Sequence, residues 1–344
     1  MRDAALLERC IHALDLVARL RHAGLEFVFK GGTSLVLYLK PLRRLSIDVD
    51  IACGATLEEI KRALDAVVYP ARPFIRYRHQ DHRDRDEPPT KHFLVSFNSV
   101  IHPGQESHIL LDVLFEPAVY PEVAEVDLAA DFIQTTGPTP VRVPTVDCLL
   151  GDKLAAFAPR TIGVLQDPPP NRAGDPMEPQ QTRVAKQLYD VAQLFDIAHS
   201  IDAVRRTYEA IRPVQNGWRR RNFTTEDTLR DTIDAAFWLS QRDLKFSEAH
   251  ALSDFLHQGV ANLDSHLVGR GFPVPAAKAA AAKAACLAAM LLGNARESLG
   301  EIRADAANLG DLTQVRQFIR SAKIVSEENS FYRRDRSEEK ISRE

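Results

Sequence analysis

Leu7, Cys10, Ile11, Leu14, Val17 and Leu20 recur at the spacing of one helix face, and Gly24 closes the helix they predict. Residues 25–29 then read as a buried strand. The Gly31-Gly32 turn leads into a short helix predicted over 33–39, which Pro41 ends. Over 46–52, Ile47, Val49 and Ile51 alternate with Asp48 and Asp50, the pattern of a strand with one apolar and one acidic face. Thr56-Leu57-Glu58-Glu59 matches a capping box, opening a helix with Leu57, Ile60, Leu64 and Val67 on one side. Further strands are predicted at 92–97 and 109–115, with a polar loop at 81–89.

The pattern changes near Arg142-Val143-Pro144. Helical spacing dominates from Thr145, with helices predicted at 145–158, 183–199, 201–211, 226–240, 247–264, 275–298 and 311–326. Five prolines between Gln166 and Gln181 mark an exposed loop. The chain therefore divides into a mixed α/β part at 1–144, a helical part at 145–326 and a densely charged tail at 327–344 that is expected to fray.

With 344 residues and 45% hydrophobic content, two ordinary cores are affordable. A net charge of −3 excludes a globally basic nucleic-acid binder, so any RNA contact needs a local basic patch. Arg219-Arg220-Arg221 beside Trp218 and Phe223 is one candidate patch; Lys278 and Lys283 on the alanine-rich run are another. A charge run of this kind is more often only a solvated face. The four cysteines form no CxxC pair, which favours reduced thiols, and no signal-peptide core or membrane-spanning run is visible. A cytoplasmic protein with no membrane contact is expected.

The chemistry is concentrated at residues 30–50. Two glycines at a strand-to-helix turn bring backbone N–H groups against a phosphate, or simply make a tight turn. Asp48 and Asp50, i and i+2 on a strand, point the same way about 7 Å apart, two strand rises. Asp112 interrupts the apolar run Ile109 to Phe115, where a charge is costly unless it is paired or metal-bound. Three such carboxylates suit Mg²⁺ or Mn²⁺, and Asp112 is the candidate to help deprotonate an attacking hydroxyl. The bland reading of the acidic pair is a solvated strand edge. His79, His82, His92, His102 and His108 show no ligand spacing and are expected to be solvated.

Phe29-Lys30-Gly31-Gly32-Thr33-Ser34-Leu35 followed by Arg44-Leu45-Ser46-Ile47-Asp48-Val49-Asp50 resembles motif I of the AbiEii/AbiGii (MenT-like) nucleotidyltransferase toxins, in the DNA polymerase β-like superfamily. Leu111-Asp112-Val113 is similar to motif II, Lys153 to Arg160 to motif III, and Lys186-Gln187-Leu188-Tyr189-Asp190-Val191 to motif IV. Motif IV departs from the family in starting Lys-Gln instead of Arg-Asp.

The resemblance implies an α+β polymerase β-like nucleotidyltransferase domain followed by a mostly helical one. It implies catalysis by Asp48, Asp50, Asp112, Lys153 and Asp190, with metal on Asp48, Asp50 and Asp112. NTP would be held by Lys30, Gly31, Gly32, Thr33, Ser34 and Arg160, although Arg160 could equally cap helix carbonyls and Lys186–Asp190 could be a simple surface pair. It further implies a bacterial toxin that transfers NMP to the 3′ end of tRNA and is neutralised by a cognate antitoxin. Two alternatives stand beside this: a transferase acting on a small molecule, such as an antibiotic, or on a protein hydroxyl, and an inactive binding module.

Overall fold

The computed structural model describes residues 4–68, 73–80, 90–133, 135, 137–168, 180–241, 250–269, 271–293 and 298–300. The predicted loop at 81–89, the helix at 311–326, the tail at 327–344 and most of the proline-rich segment lie outside these residues.

Helix α1 (Ala4–His22) buries Cys10, Ala13, Leu14, Val17 and Leu20 along one side. It ends as its sequence dictates. Gly24 adopts φ +82, and the N–H groups of Gly24 and Leu25 donate to the carbonyls of Arg21 and Leu20, both at 3.1 Å. Strand β1 (Val28–Lys30) follows, then the single turn α2 (Gly31–Ser34), extended by a 3₁₀ turn at Leu35–Leu37. The helix predicted at 33–39 thus begins two residues earlier and tightens before Pro41. Next come β2 (Val49–Ala52), α3 (Leu57–Val68), β3 (Phe74–Gln80), β4 (Thr90–Asn98), β5 (Glu106–Leu114), β6 (Val123–Asp127) and β7 (Pro140–Pro144). The expected capping box forms, with Glu59 accepting from the Thr56 N–H at 2.7 Å.

The seven strands form one mixed sheet in the order β3-β4-β5-β2-β1-β7-β6. β2 runs parallel to β5 and β1 parallel to β7, while the other neighbours are antiparallel. One face presents Phe29, Ile51, Leu111, Val113, Phe93 and Val95, all buried, and α1 and α3 pack on that side. The opposite face is left for polar residues.

From α4 (Val146–Ala156), capped by the Thr145 side chain, the described chain is helical: α5 (Gln181–Phe195), α6 (Ile201–Arg219), α7 (Thr225–Gln241), α8 (Ala251–Leu263) and α9 (Val274–Leu292). α6 runs eight residues past its predicted end because Pro213 is accommodated on an exposed side of the helix. Among the described residues α9 is long and apolar enough to cross a membrane, but most of it is buried against α5 and α7. Helical and sheet parts are stitched together by backbone. Leu45 N–H donates to His266 O at 3.1 Å and Val268 N–H to Arg43 O at 2.9 Å, around a bridge between Arg44 and Leu267.

Candidate active site

The strand register lines up the chemistry. Lys30 lies opposite Asp50, Asp50 opposite Asp112, and Asp112 opposite His92. Paired residues share a face of the sheet, so four strands deliver lysine, aspartate, aspartate and histidine in one row. Asp48 precedes Asp50 by two residues and opens to solvent at the edge of the row. Asp112 Oδ1 is held by His92 Nδ1 at 2.6 Å, with both side chains about three-quarters buried.

The glycine turn is pressed against these acids. A Cβ on Gly31, whose φ is +76, would fall 2.0 Å from Asp50 Oδ2, and one on Gly32 would fall 2.7 Å from Arg44 Nη2. Both positions therefore require glycine for space, and Gly31 for its backbone as well. Thr33 and Ser34 are fully buried, and their hydroxyls donate to Asp48 O and Gly31 O. In this arrangement their hydroxyls shape the turn.

Cations close the site from the helical side. Lys153 on α4 is 6% exposed, donates to Gln187 Oε1 at 3.1 Å and lies 3.4 Å from Asp190 Oδ2. Asp190, 1% exposed, accepts a two-pronged pair from Arg44, Nε to Oδ1 at 2.9 Å and Nη2 to Oδ2 at 2.8 Å. It fixes two cations. On α5, Arg183, Lys186, Gln187 and Asp190 fall at helical spacing, and the charges of Lys186 and Arg183 act on Asp48.

The electrostatics are those of a crowded anionic centre. Burial pushes Asp50 up to about 6, opposed by Lys30 and reinforced by the charges of Asp112 and Asp48. Although Asp48 reaches solvent, partial enclosure of its carboxyl and then Asp112 push it up, with Lys186, Arg9 and Arg183 acting against them. Lys186 is pulled down to about 8, first by burial and then by the neighbouring Arg44. Among the described residues no three His, Cys, Asp or Glu side chains gather around one point. The donor set suits a hard ion that takes one or two carboxylates and completes its shell with water and phosphate oxygens, which is how Mg²⁺ is usually held.

A family model for the nucleotidyl transferase AbiEii toxins of type IV toxin–antitoxin systems matches residues 15–258. The chain belongs to the AbiEii family. No significant match is found among curated protein sequences. Among solved structures, MenT4, a nucleotidyltransferase toxin from Mycobacterium tuberculosis, is similar with a TM-score of 0.53 and 17% identity, covering 93% of each chain. JHP933 from Helicobacter pylori gives 0.44 and 16%, covering 90% of this chain and 98% of its own. At these identities the structures speak to fold alone, and MenT4 supports the α+β nucleotidyltransferase fold with its helical C-terminal part.

The AbiEii match spans both halves of the site, from Lys30 to Asp190. Arg160, expected at the nucleotide, lies in the turn after α4, where its guanidinium pairs with Asp234 at 2.7 Å and its N–H with Asp231 at 2.8 Å. The structure ties it to α7 and not to the carboxylate row. His102 and His108 are exposed as expected, and His82 lies outside the described residues. His79 packs against Phe93, and His92 is no solvated bystander, because the β4–β5 register sets it on Asp112. Lys278 is fully buried and Lys283 is paired with Asp196 at 2.6 Å, so neither is laid out as a surface for RNA. Arg44 and Gln187 have no role assigned from sequence, and Lys186 only a surface pairing with Asp190, because the partners seen here lie in distant segments.

Proposed function

We propose that this AbiEii toxin transfers NMP from an NTP to the 3′ end of tRNA, using Mg²⁺ or Mn²⁺, and so blocks translation in the cytoplasm. The observation that carries nucleotidyl transfer is the row Lys30–Asp50–Asp112–His92 set against Gly31-Gly32, with Lys153, Lys186 and Arg44 behind it. The tRNA acceptor rests on resemblance to the MenT-like toxins, and the neutralising antitoxin on membership of a toxin–antitoxin family.

Asp50 and Asp112, paired in the strand register, would hold the ion with Asp48 at its edge, and when bound it would offset their mutual repulsion and the charge of the triphosphate. The turn amides and Lys30 orient the phosphates. The acceptor oxygen attacks the α-phosphorus and its proton passes to Asp112 Oδ2, Oδ1 being held by His92. The bond to the β-phosphate breaks, and the pyrophosphate charge is met by Lys153 and Lys186, fixed cations in a dry cleft.

The test is expression of wild type and Asp48→Ala in a bacterium, followed by sequencing of RNA 3′ ends. Added nucleotides on tRNA in the wild type alone support the reading. Labelled NTP passing to a small molecule or a protein and never to RNA would move the acceptor to that class, and toxicity unchanged in Asp48→Ala would point to a binding module.

A further inference from the structure

Beside the carboxylate row, between the sheet and α6, lies a cleft that the catalytic reading leaves unused. Its sheet wall continues the two catalytic strands: Ala52 stands two residues beyond Asp50, and Leu114 two beyond Asp112, on the same faces. Each is about 7 Å from its aspartate, two strand rises. Lys30 forms the end of the cleft next to the acids. The helical wall is one stripe of α6, Ile211, Val214, Gln215 and Trp218, at i, i+3, i+4 and i+7. Glu116 and Tyr120, from the segment after β5, complete it, with Tyr120 donating to Asp152 Oδ2 at 3.0 Å.

We propose that this cleft seats the nucleoside half of the NTP, with the base against Trp218 and its hydrogen-bonding edge toward Glu116. The assignment rests on the nucleotidyl-transfer reading. The geometry leaves few other places for the base. The glycine turn follows the end of β1 and, because β1 and β2 are antiparallel, lies toward Asp48, so phosphates on the turn run away from Ala52 and Leu114. An α-phosphate at Asp50 and Asp112 then points its ribose the other way, into the cleft. The void encloses about 60 Å³, far below the few hundred that swallow a whole ligand, so the base rests in the mouth where Trp218 is half-exposed.

The chemistry also sets a preference. Adenine, cytosine and guanine each carry an exocyclic amino group that can donate to a carboxylate, whereas uracil carries none and flanks its single N3–H donor with two carbonyl oxygens. Glu116 therefore favours the amino-bearing bases and repels uracil. Gln215, whose Oε1 accepts from Arg219 Nη1 at 2.6 Å, has its amide NH₂ left to meet a base carbonyl. Trp218, read from sequence as a stacking surface for RNA, becomes a stacking surface for the nucleotide.

The chain has two tryptophans, and the other, Trp238, is stacked on His250 at 3.5 Å. A Trp238→Phe background thus makes Trp218 the sole emitter. Titration with ATP, CTP, GTP, UTP and tripolyphosphate, read by fluorescence and by calorimetry, is expected to change Trp218 emission with the amino-bearing NTPs and not with tripolyphosphate. Trp218→Ala in the wild-type background should weaken those NTPs about tenfold, the loss of one base–aromatic stack, and leave tripolyphosphate unmoved. Glu116→Gln should bring UTP level with the others. If all NTPs bind with unchanged emission and with affinities indifferent to Trp218→Ala, the base lies elsewhere and nucleotidyl transfer stands. If no NTP binds the wild type, both readings fall together.

Discussion

Arg44 and Asp190, 146 residues apart in sequence, meet as a parallel two-bond ion pair with both partners buried. The pair joins the segment that leads into the acidic strand to the helix that faces it. Removing one partner strands the other without water. Asp190→Ala is expected to cost about 3–5 kcal/mol, read as a lower midpoint in thermal or urea unfolding. Arg44→Lys should not match wild type, because an ammonium cannot span both oxygens as the planar fork does.

Gly31→Ala places a methyl on Asp50 at a positive φ. The acid must move or the turn must open. Transfer activity is expected to fall to background while circular dichroism stays close to wild type, since one turn is disturbed and the core is not. Gly32→Ala meets the tip of an arginine instead, but that arginine is pinned by Asp190 and cannot swing freely. It should show an intermediate loss.

His92→Ala frees Asp112 Oδ1. The carboxylate then loses the contact that fixes its direction, and a fall in kcat of roughly 10- to 100-fold is expected, the usual cost of losing such a supporting partner. KM for NTP should hardly change, because His92 holds Asp112 and none of the groups assigned to the phosphates. Partial recovery in His92→Gln would show that orientation by a hydrogen bond is what matters.

Asp231 gives a pH dependence away from the site. Burial pushes its carboxyl from 3.8 up to about 6, against hydrogen bonds from Arg160 N–H and the Thr161 hydroxyl. The folded state binds its proton more tightly than the unfolded chain does, so its contribution to stability is lost as pH rises from about 4 through 6. The full rise corresponds to about 3 kcal/mol. Asp231→Asn, which keeps an acceptor for the same donors, should flatten that part of the stability profile measured by urea unfolding at a series of pH values.

The glycine turn, Asp48, Asp50 and Asp112 were legible in sequence because each breaks a local pattern: glycines where a strand meets a helix, acids where alternation or burial demands apolar residues. His92 was not. It breaks nothing in its own strand, and only the β4–β5 register gives it a partner. Arg44 and Asp190 are each unremarkable in their segments, and no periodicity connects residues so far apart. The strands β3, β6 and β7 escaped for a related reason. β3 carries Arg76, Tyr77 and Arg78 at a sheet edge, while β6 and β7 are five residues each and β7 is bounded by prolines. The helices were easier, since α5 to α9 each bury a regular stripe; the limits of α6 needed the knowledge that Pro213 faces outward.

The bridge between Arg44 and Leu267 has a consequence for the order in which the toxin is made. The carboxylates leave the ribosome first, Lys153 and Asp190 later, and the strand-like partner of Arg43–Leu45 later still. A nascent chain that ends before Lys153 carries acids whose repulsion is not yet answered, and one that ends before Leu267 still has a segment whose backbone is not yet paired. A copy truncated before Leu267 is therefore expected to be inactive, because the segment leading into the acidic strand would lack its backbone partner.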